Sequence, residues 1–287
     1  EADIRSLYIL PEPPEFRPNS MVTTLQPPYL SAAFMEYIRY AVDYAKSLGM
    51  AMWLYDEGGF PSGMACGQVI RRDPSTVRKQ LTRETRALAA GETYTPHPTA
   101  LTVFEGNTRV KQDDPSRERI LTEYRLTPHY NDGTDAYTTL NIDPSEARTT
   151  ELFIELTHET YKKTLGDDLG GYASLMFTDE PGLVFPAWPS ELPDVFRTRY
   201  GRDLLDFLPA LFDDDDDPAA QKIRIDVGLL IGEIFKRNYF DKLQSWCHAN
   251  GLYASGHLDV DNMLDGARSK GYGNPLDILR AFDIPGI

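Results

Sequence analysis

Two stretches of this chain share one design: an apolar run of strand length that ends in adjacent carboxylates and then turns. The first is M-W-L-Y-D-E-G-G-F-P-S-G, with Asp56 and Glu57 ahead of Gly58, Gly59 and Pro61. The second is L-M-F-T-D-E-P-G, with Asp179 and Glu180 ahead of Pro181 and Gly182. A short apolar run bounded by turn residues reads as a buried strand of a parallel sheet. Acids are costly to bury and must be solvated, paired or hydrogen-bonded. Each strand is therefore expected to deliver its acids to an open end. In a parallel α/β barrel all strand C-termini open on one mouth, where residues distant in sequence converge.

The surrounding pattern supports alternation of strands and helices. Residues 4–10 read as a strand, stopped by the Pro-rich stretch 11–18. Ser31 is placed to cap a helix running to about residue 48, with Phe34, Ile38, Ala41, Val42 and Ala45 at helical spacing and Gly49 ending it. Residues 50–55 form the next strand, so the opening reads strand, helix, strand, which favours parallel pairing. A helix is expected from Pro144 to about residue 165, followed by a strand at 172–178. Residues 188–212 read as an interrupted helix and 223–250 as one long amphipathic helix. A strand at 252–255 then leads into Gly256-His257-Leu258-Asp259-Val260-Asp261, and a short helix at 275–281 precedes a final strand-like run.

Residues 69–142 differ in character. The stretch 71–90 reads as a basic helix, and 101–110, 119–127 and 137–142 as strands. This is expected to be a β-rich insertion on a loop, where insertions are tolerated. The expected organisation is thus 1–68 and 143–287 as two parts of a (β/α)8 TIM-type barrel, with 69–142 inserted. About five barrel strands can be counted, so the barrel is expected to be incomplete in this chain. An open barrel exposes strand edges. The expectation is therefore a longer protein with further domains.

Bulk properties narrow the chemistry. The 287 residues carry a net charge of −15, which argues against nucleic acid and gives no support for anionic membranes. No apolar stretch approaches the roughly 20 residues of a membrane span. The two cysteines, Cys66 and Cys247, have no metal or redox spacing. Neither phosphate-binding glycine motif, nor H-E-x-x-H, nor G-x-S-x-G occurs. The acid run 213–217 lacks the spaced ligands and turn glycine of a calcium loop and reads as a solvated loop.

What remains is carboxylate chemistry. Strand-end acids fall at Asp56 and Glu57, Asp179 and Glu180, Asp259 and Asp261, and Asp283. Cleaving a glycosidic bond needs one protonated carboxyl to donate to the leaving oxygen and a second, ionised one to activate water or attack. Two carboxylates held close split their proton affinities into such a pair. Trp53, Tyr55, Phe60, Tyr29 and Trp188 supply flat apolar surface on or near these strands. The plainer reading of an Asp-Glu pair is a surface turn that caps a helix, and Asp179 could simply orient a loop. His257, after a glycine and among acids, is either a hydrogen-bonded structural residue or a contact to a sugar hydroxyl.

Taken together, W-L-Y-D-E-G-G-F-P-S-G, F-T-D-E-P-G, G-H-L-D at 256–259, F-D-I-P-G at 282–286 and the stretch 145–161 resemble the barrel of α-L-rhamnosidases of glycoside hydrolase family 106. The resemblance covers most of the chain except the insertion. It implies hydrolysis of glycosides with inversion, on a carbohydrate substrate such as a plant polysaccharide, and a calcium ion at the substrate site. It also implies that such an enzyme, if exported, is secreted or periplasmic. On it, Glu180 is the expected general acid, and Glu57, or Asp261 in its place, the expected base. Asp56, Asp179, His257 and Asp259 are expected to bind hydroxyls or hold the carboxylates, with Trp53, Tyr55 and Phe60 against the sugar. The chain departs from the family pattern after His257, where Asp261 stands for a Glu. A non-catalytic carbohydrate-binding barrel that has lost one carboxylate is the alternative.

Overall fold

The computed structural model describes residues 4–11, 25–59, 61–129, 142–212, 216–259 and 269–286. Phe60, Asp261, most of the acid run at 213–217 and most of the strand expected at 137–142 lie outside them.

Five strands form a parallel sheet: β1 (Ser6–Tyr8), β2 (Ala51–Tyr55), β7 (Ala173–Asp179), β8 (Tyr253–His257) and β9 (Ile284–Pro285), hydrogen-bonded in that order. Successive residues of a strand face opposite sides, and the ladder pairs Trp53 with Leu175, Tyr55 with Phe177 and Asp179 with His257. The face that carries Met52, Leu54, Met176 and Ala254 is buried in the main core. Helix α1 (Ala32–Ser47) packs Phe34, Ile38 and Val42 into that core, and Ser31 caps it by accepting from the Phe34 N–H at 3.2 Å. The opposite face carries Tyr8, Trp53, Tyr55, Phe177, Asp179 and His257 and is far more open. Tyr8 is half exposed, while Trp53, Phe177 and His257 are intermediate.

The expected (β/α)8 barrel is not what the chain builds. Among the described residues the parallel sheet does not close: β1 and β9 are its edges. A second sheet is wholly antiparallel, with strands β3 (Lys79–Leu88), β6 (Arg119–Pro128), β4 (Ala100–Glu105) and β5 (Thr108–Arg109) in that order. The basic helix expected at 71–90 is largely strand β3. Its ten residues pair with all ten of β6, from Lys79–Pro128 to Leu88–Arg119. A ladder of that length overrides local helix preference, and Asp73-Pro74 stops the helix at Arg72.

This second sheet is fastened to the body beside the β7 loop. Leu81, Phe104 and Tyr124 belong to the main core. The Leu81 N–H donates to the Pro186 carbonyl at 3.0 Å, and the Arg78 guanidinium donates to the Gly182 carbonyl at 2.7 Å. The segment that follows Glu180 is thereby pinned. The long helix expected at 223–250 is broken into Pro218–Phe235 and Asp241–Ala249 by a π-helical turn, Lys236–Phe240. The extra residue swings Tyr239 inward, where its hydroxyl meets Thr178 Oγ1 at 3.0 Å beneath the sheet.

Candidate active site

The two Asp-Glu pairs read alike in sequence but are used in opposite ways. Glu57 turns inward and is 1% exposed. Its Oε2 accepts the N–H groups of Gly63, Met64 and Ala65, and its Oε1 those of Gly58 and Cys66, at 2.7–3.2 Å. The loop curls around the carboxylate as a nest of amides. Ala65 and Cys66 adopt left-handed backbone, with φ of 48° and 52°. That conformation costs roughly 1–2 kcal/mol per non-glycine residue and is offset by the hydrogen bonds it aims at Glu57. Burial raises the Glu57 carboxyl above its ordinary range, while the five amides pull it back. All five hydrogen-bond partners of the two oxygens among the described residues are donors, so the cradle is built for an acceptor. The expectation that Glu57 is the base is corrected here: both oxygens are consumed and neither faces solvent.

Asp56 extends the strand on the helix-facing side and is fully buried. Its Oδ1 accepts from Ser62 Oγ at 2.5 Å, and its Oδ2 has no hydrogen-bond partner among the described residues. Burial drives its acid well above the usual carboxylate range, helped by the charge of Glu57. It lies under the sheet, out of reach of a sugar hydroxyl.

Asp179 and Glu180 lie on the open side. Tyr55, itself buried, sets its hydroxyl 2.7 Å from Asp179 Oδ2. Its ring stacks on Phe177, which stacks in turn on Tyr8, with centroids 5.9 and 6.0 Å apart. Tyr55 therefore positions an acid, while Phe177, Tyr8 and the half-buried Trp53 make the apolar surface beside it. Glu180 takes a left-handed backbone, φ 48°, and its N–H donates to the His257 carbonyl at 3.0 Å. Strain of this kind costs about 1–3 kcal/mol and clusters at functional sites. It swings the Glu180 carboxylate back over the sheet, where Oε1 stands 2.9 Å from His257 Nδ1, with Asp179 Oδ1 at 3.7 Å from the same nitrogen.

The remaining candidates fall nearby or elsewhere. Asp259 pairs with Lys270, and its N–H donates to the Tyr272 hydroxyl at 3.1 Å. That hydroxyl donates to the Pro181 carbonyl at 2.9 Å, so the β8 loop supports the turn after Glu180. Asp283 precedes β9 and sits at the other end of the sheet, bound to His248 and to the Ala254 N–H. Tyr29 and Trp188, expected as sugar platforms, are buried in the core. Ser62, which sequence reading passed over, joins the two pairs.

Ligand atoms of Asp179, Glu180 and His257 lie within 4.8 Å of one another. Calcium takes 6–8 oxygen ligands. The described residues give two carboxylates, and His257 Nδ1 is engaged by Glu180. This set does not fit the calcium ion that the family resemblance implied.

The fold and this cluster define a class: a parallel α/β sheet with an acid–histidine centre at the strand ends, beside an aromatic face. No family model matches the sequence, and no curated protein matches it. Among solved structures, a rhamnosidase from Novosphingobium sp. PP1Y is similar, with a TM-score of 0.52 and 11% identity, over 79% of this chain and 41% of that one. The likeness is one of fold, shared with a glycoside hydrolase, and this chain spans less than half of that protein's length. No helix among the described residues is long and apolar enough to cross a membrane.

Proposed function

We propose that this chain carries the acid side of a glycosidase centre, rhamnosidase-like in substrate class. Glu180 is the general acid, protonating the leaving oxygen of a carbohydrate that lies on the Phe177, Tyr8 and Trp53 face. The observation that carries the reading is the seating of Glu180. It is partly exposed, locked in a strained backbone and set against His257 and Asp179. A proton donor to a leaving group needs a carboxyl held at the open strand ends with a hydrogen-bonding partner, and Glu180 is so held against His257. Asp179, oriented by Tyr55, and His257 hold that carboxyl and contact sugar hydroxyls. The base that activates water in an inverting reaction is assigned to Asp261.

The sequestration of Glu57 and the Lys270 pairing of Asp259 favour a second reading, a carbohydrate-binding protein without turnover. A panel of chromogenic glycosides, α-L-rhamnosides first, separates the two. Turnover by the wild-type chain that falls by roughly 10²–10⁴-fold in Glu180→Gln supports the acid assignment. Full activity in Glu180→Gln eliminates it. Sugar binding without turnover on any glycoside supports the second reading.

A further inference from the structure

Ser62 makes more contacts with the second acid pair than its place in the first loop requires. Its N–H donates to the Asp179 carbonyl at 2.8 Å, and its Oγ accepts from the Asp179 N–H at 2.8 Å. One residue thus holds both backbone groups of the residue immediately before Glu180. The Ser62 hydroxyl proton goes to Asp56 Oδ1, which fixes the rotor so that its lone pair faces Asp179. Ser62 is 2% exposed and so does not touch a ligand. Its own position is set by Gly63, whose N–H belongs to the Glu57 cradle.

From this we infer that Ser62 is a positioning residue for Glu180, and that the first Asp-Glu pair exists to hold it. The inference rests on the proposed role of Glu180 for its effect on turnover, but its geometric content does not. A left-handed non-glycine backbone persists where its surroundings over-determine it. Here Ser62 fixes the peptide before Glu180, and the His257 carbonyl holds the Glu180 N–H. Without the Ser62 hydroxyl, the Asp179 N–H loses its acceptor and Asp56 loses its donor. The residue after them is then free to relax to ordinary backbone, which carries the Glu180 carboxylate away from His257.

The test uses two readouts on the intact chain. Histidine ring ¹⁵N resonances, with His257 assigned from His257→Gln, report the Glu180 contact whether or not the protein turns over. In Ser62→Ala the His257 resonances are expected to move toward those of Glu180→Gln, and Ser62→Thr, which restores the hydroxyl, is expected to bring them back. On a cleaved aryl glycoside, kcat in Ser62→Ala is expected to fall on the order of 100-fold, as misplacement by about 1 Å does, with KM within a few-fold of wild type. Ser62→Cys keeps the volume and weakens both hydrogen bonds, and it serves if the alanine variant does not fold. Unmoved His257 resonances in the folded Ala or Cys variant overturn the inference, even with the hydrolase reading intact. Moved resonances in a protein that cleaves no glycoside support the clamp and overturn the hydrolase reading alone.

Discussion

Replacing Glu57 with glutamine tests whether this carboxylate is chemistry or scaffold. The amide substitutes an NH2 for one oxygen. Oε2 serves three N–H groups and Oε1 two, so either orientation leaves two or three buried N–H groups facing another donor. Each buried donor left unsatisfied costs about 1–3 kcal/mol. The milder orientation therefore removes about 2–6 kcal/mol, a large share of the roughly 5–15 kcal/mol that holds a typical domain together. Urea unfolding followed by circular dichroism reads this directly. With a slope of about 3 kcal/mol per molar, the midpoint of Glu57→Gln should drop by about 1–2 M. Turnover should fall too, because the loop that carries Ser62 loosens. A catalytic base behaves otherwise: glutamine would abolish turnover and leave the midpoint untouched. A Glu57→Gln protein with wild-type stability and no activity would refute the cradle.

Two further predictions concern buried titratable groups. His158 is fully buried between Phe153 and Trp246, with both ring nitrogens lacking hydrogen-bond partners among the described residues, and burial pushes it down to about 3. Its folded value lies below the unfolded one near 6.5, so stability is full above that pH and is lost on acidification toward about 3, by about 1.4 kcal/mol per unit. His158→Phe should therefore outlast wild type by about 3 kcal/mol more at pH 4.5 than at pH 7.5, and parallel stability curves would rule this out. Asp56 has the opposite sign: its raised folded value makes its contribution full at acid pH and lost as pH rises through that value. Asp56→Asn, a neutral stand-in that keeps an acceptor for Ser62, should flatten the decline of unfolding midpoint between pH 4 and 8. An unchanged decline would show that Asp56 is not held protonated.

Much of the local architecture was legible from residue order. Apolar runs fixed where β2, β7 and β8 fall, and Ser31 with Gly49 bounded the first helix to within a residue. These signals are short-range: side-chain period, turn residues and caps act on their own neighbours. The segment 71–90 misled because the partner that makes it a strand, β6, lies some thirty residues on and leaves no trace in local periodicity. The barrel class misled for a related reason, since a strand's pattern says it is buried but not what covers it.

The sequence by itself determined that acids would stand at strand ends, since an Asp-Glu pair after an apolar run has nowhere cheaper to go. Tertiary structure decided what each acid does. Strand parity sent Asp56 under the sheet and Asp179 over it. Loop closure wrapped five amides around Glu57, and a left-handed turn aimed Glu180 at His257. The Glu57 amides come from within nine positions of it, whereas the Glu180–His257 contact spans 77 residues and the Ser62–Asp179 bond 117, so a carboxylate's role follows from how the backbone arranges what surrounds it.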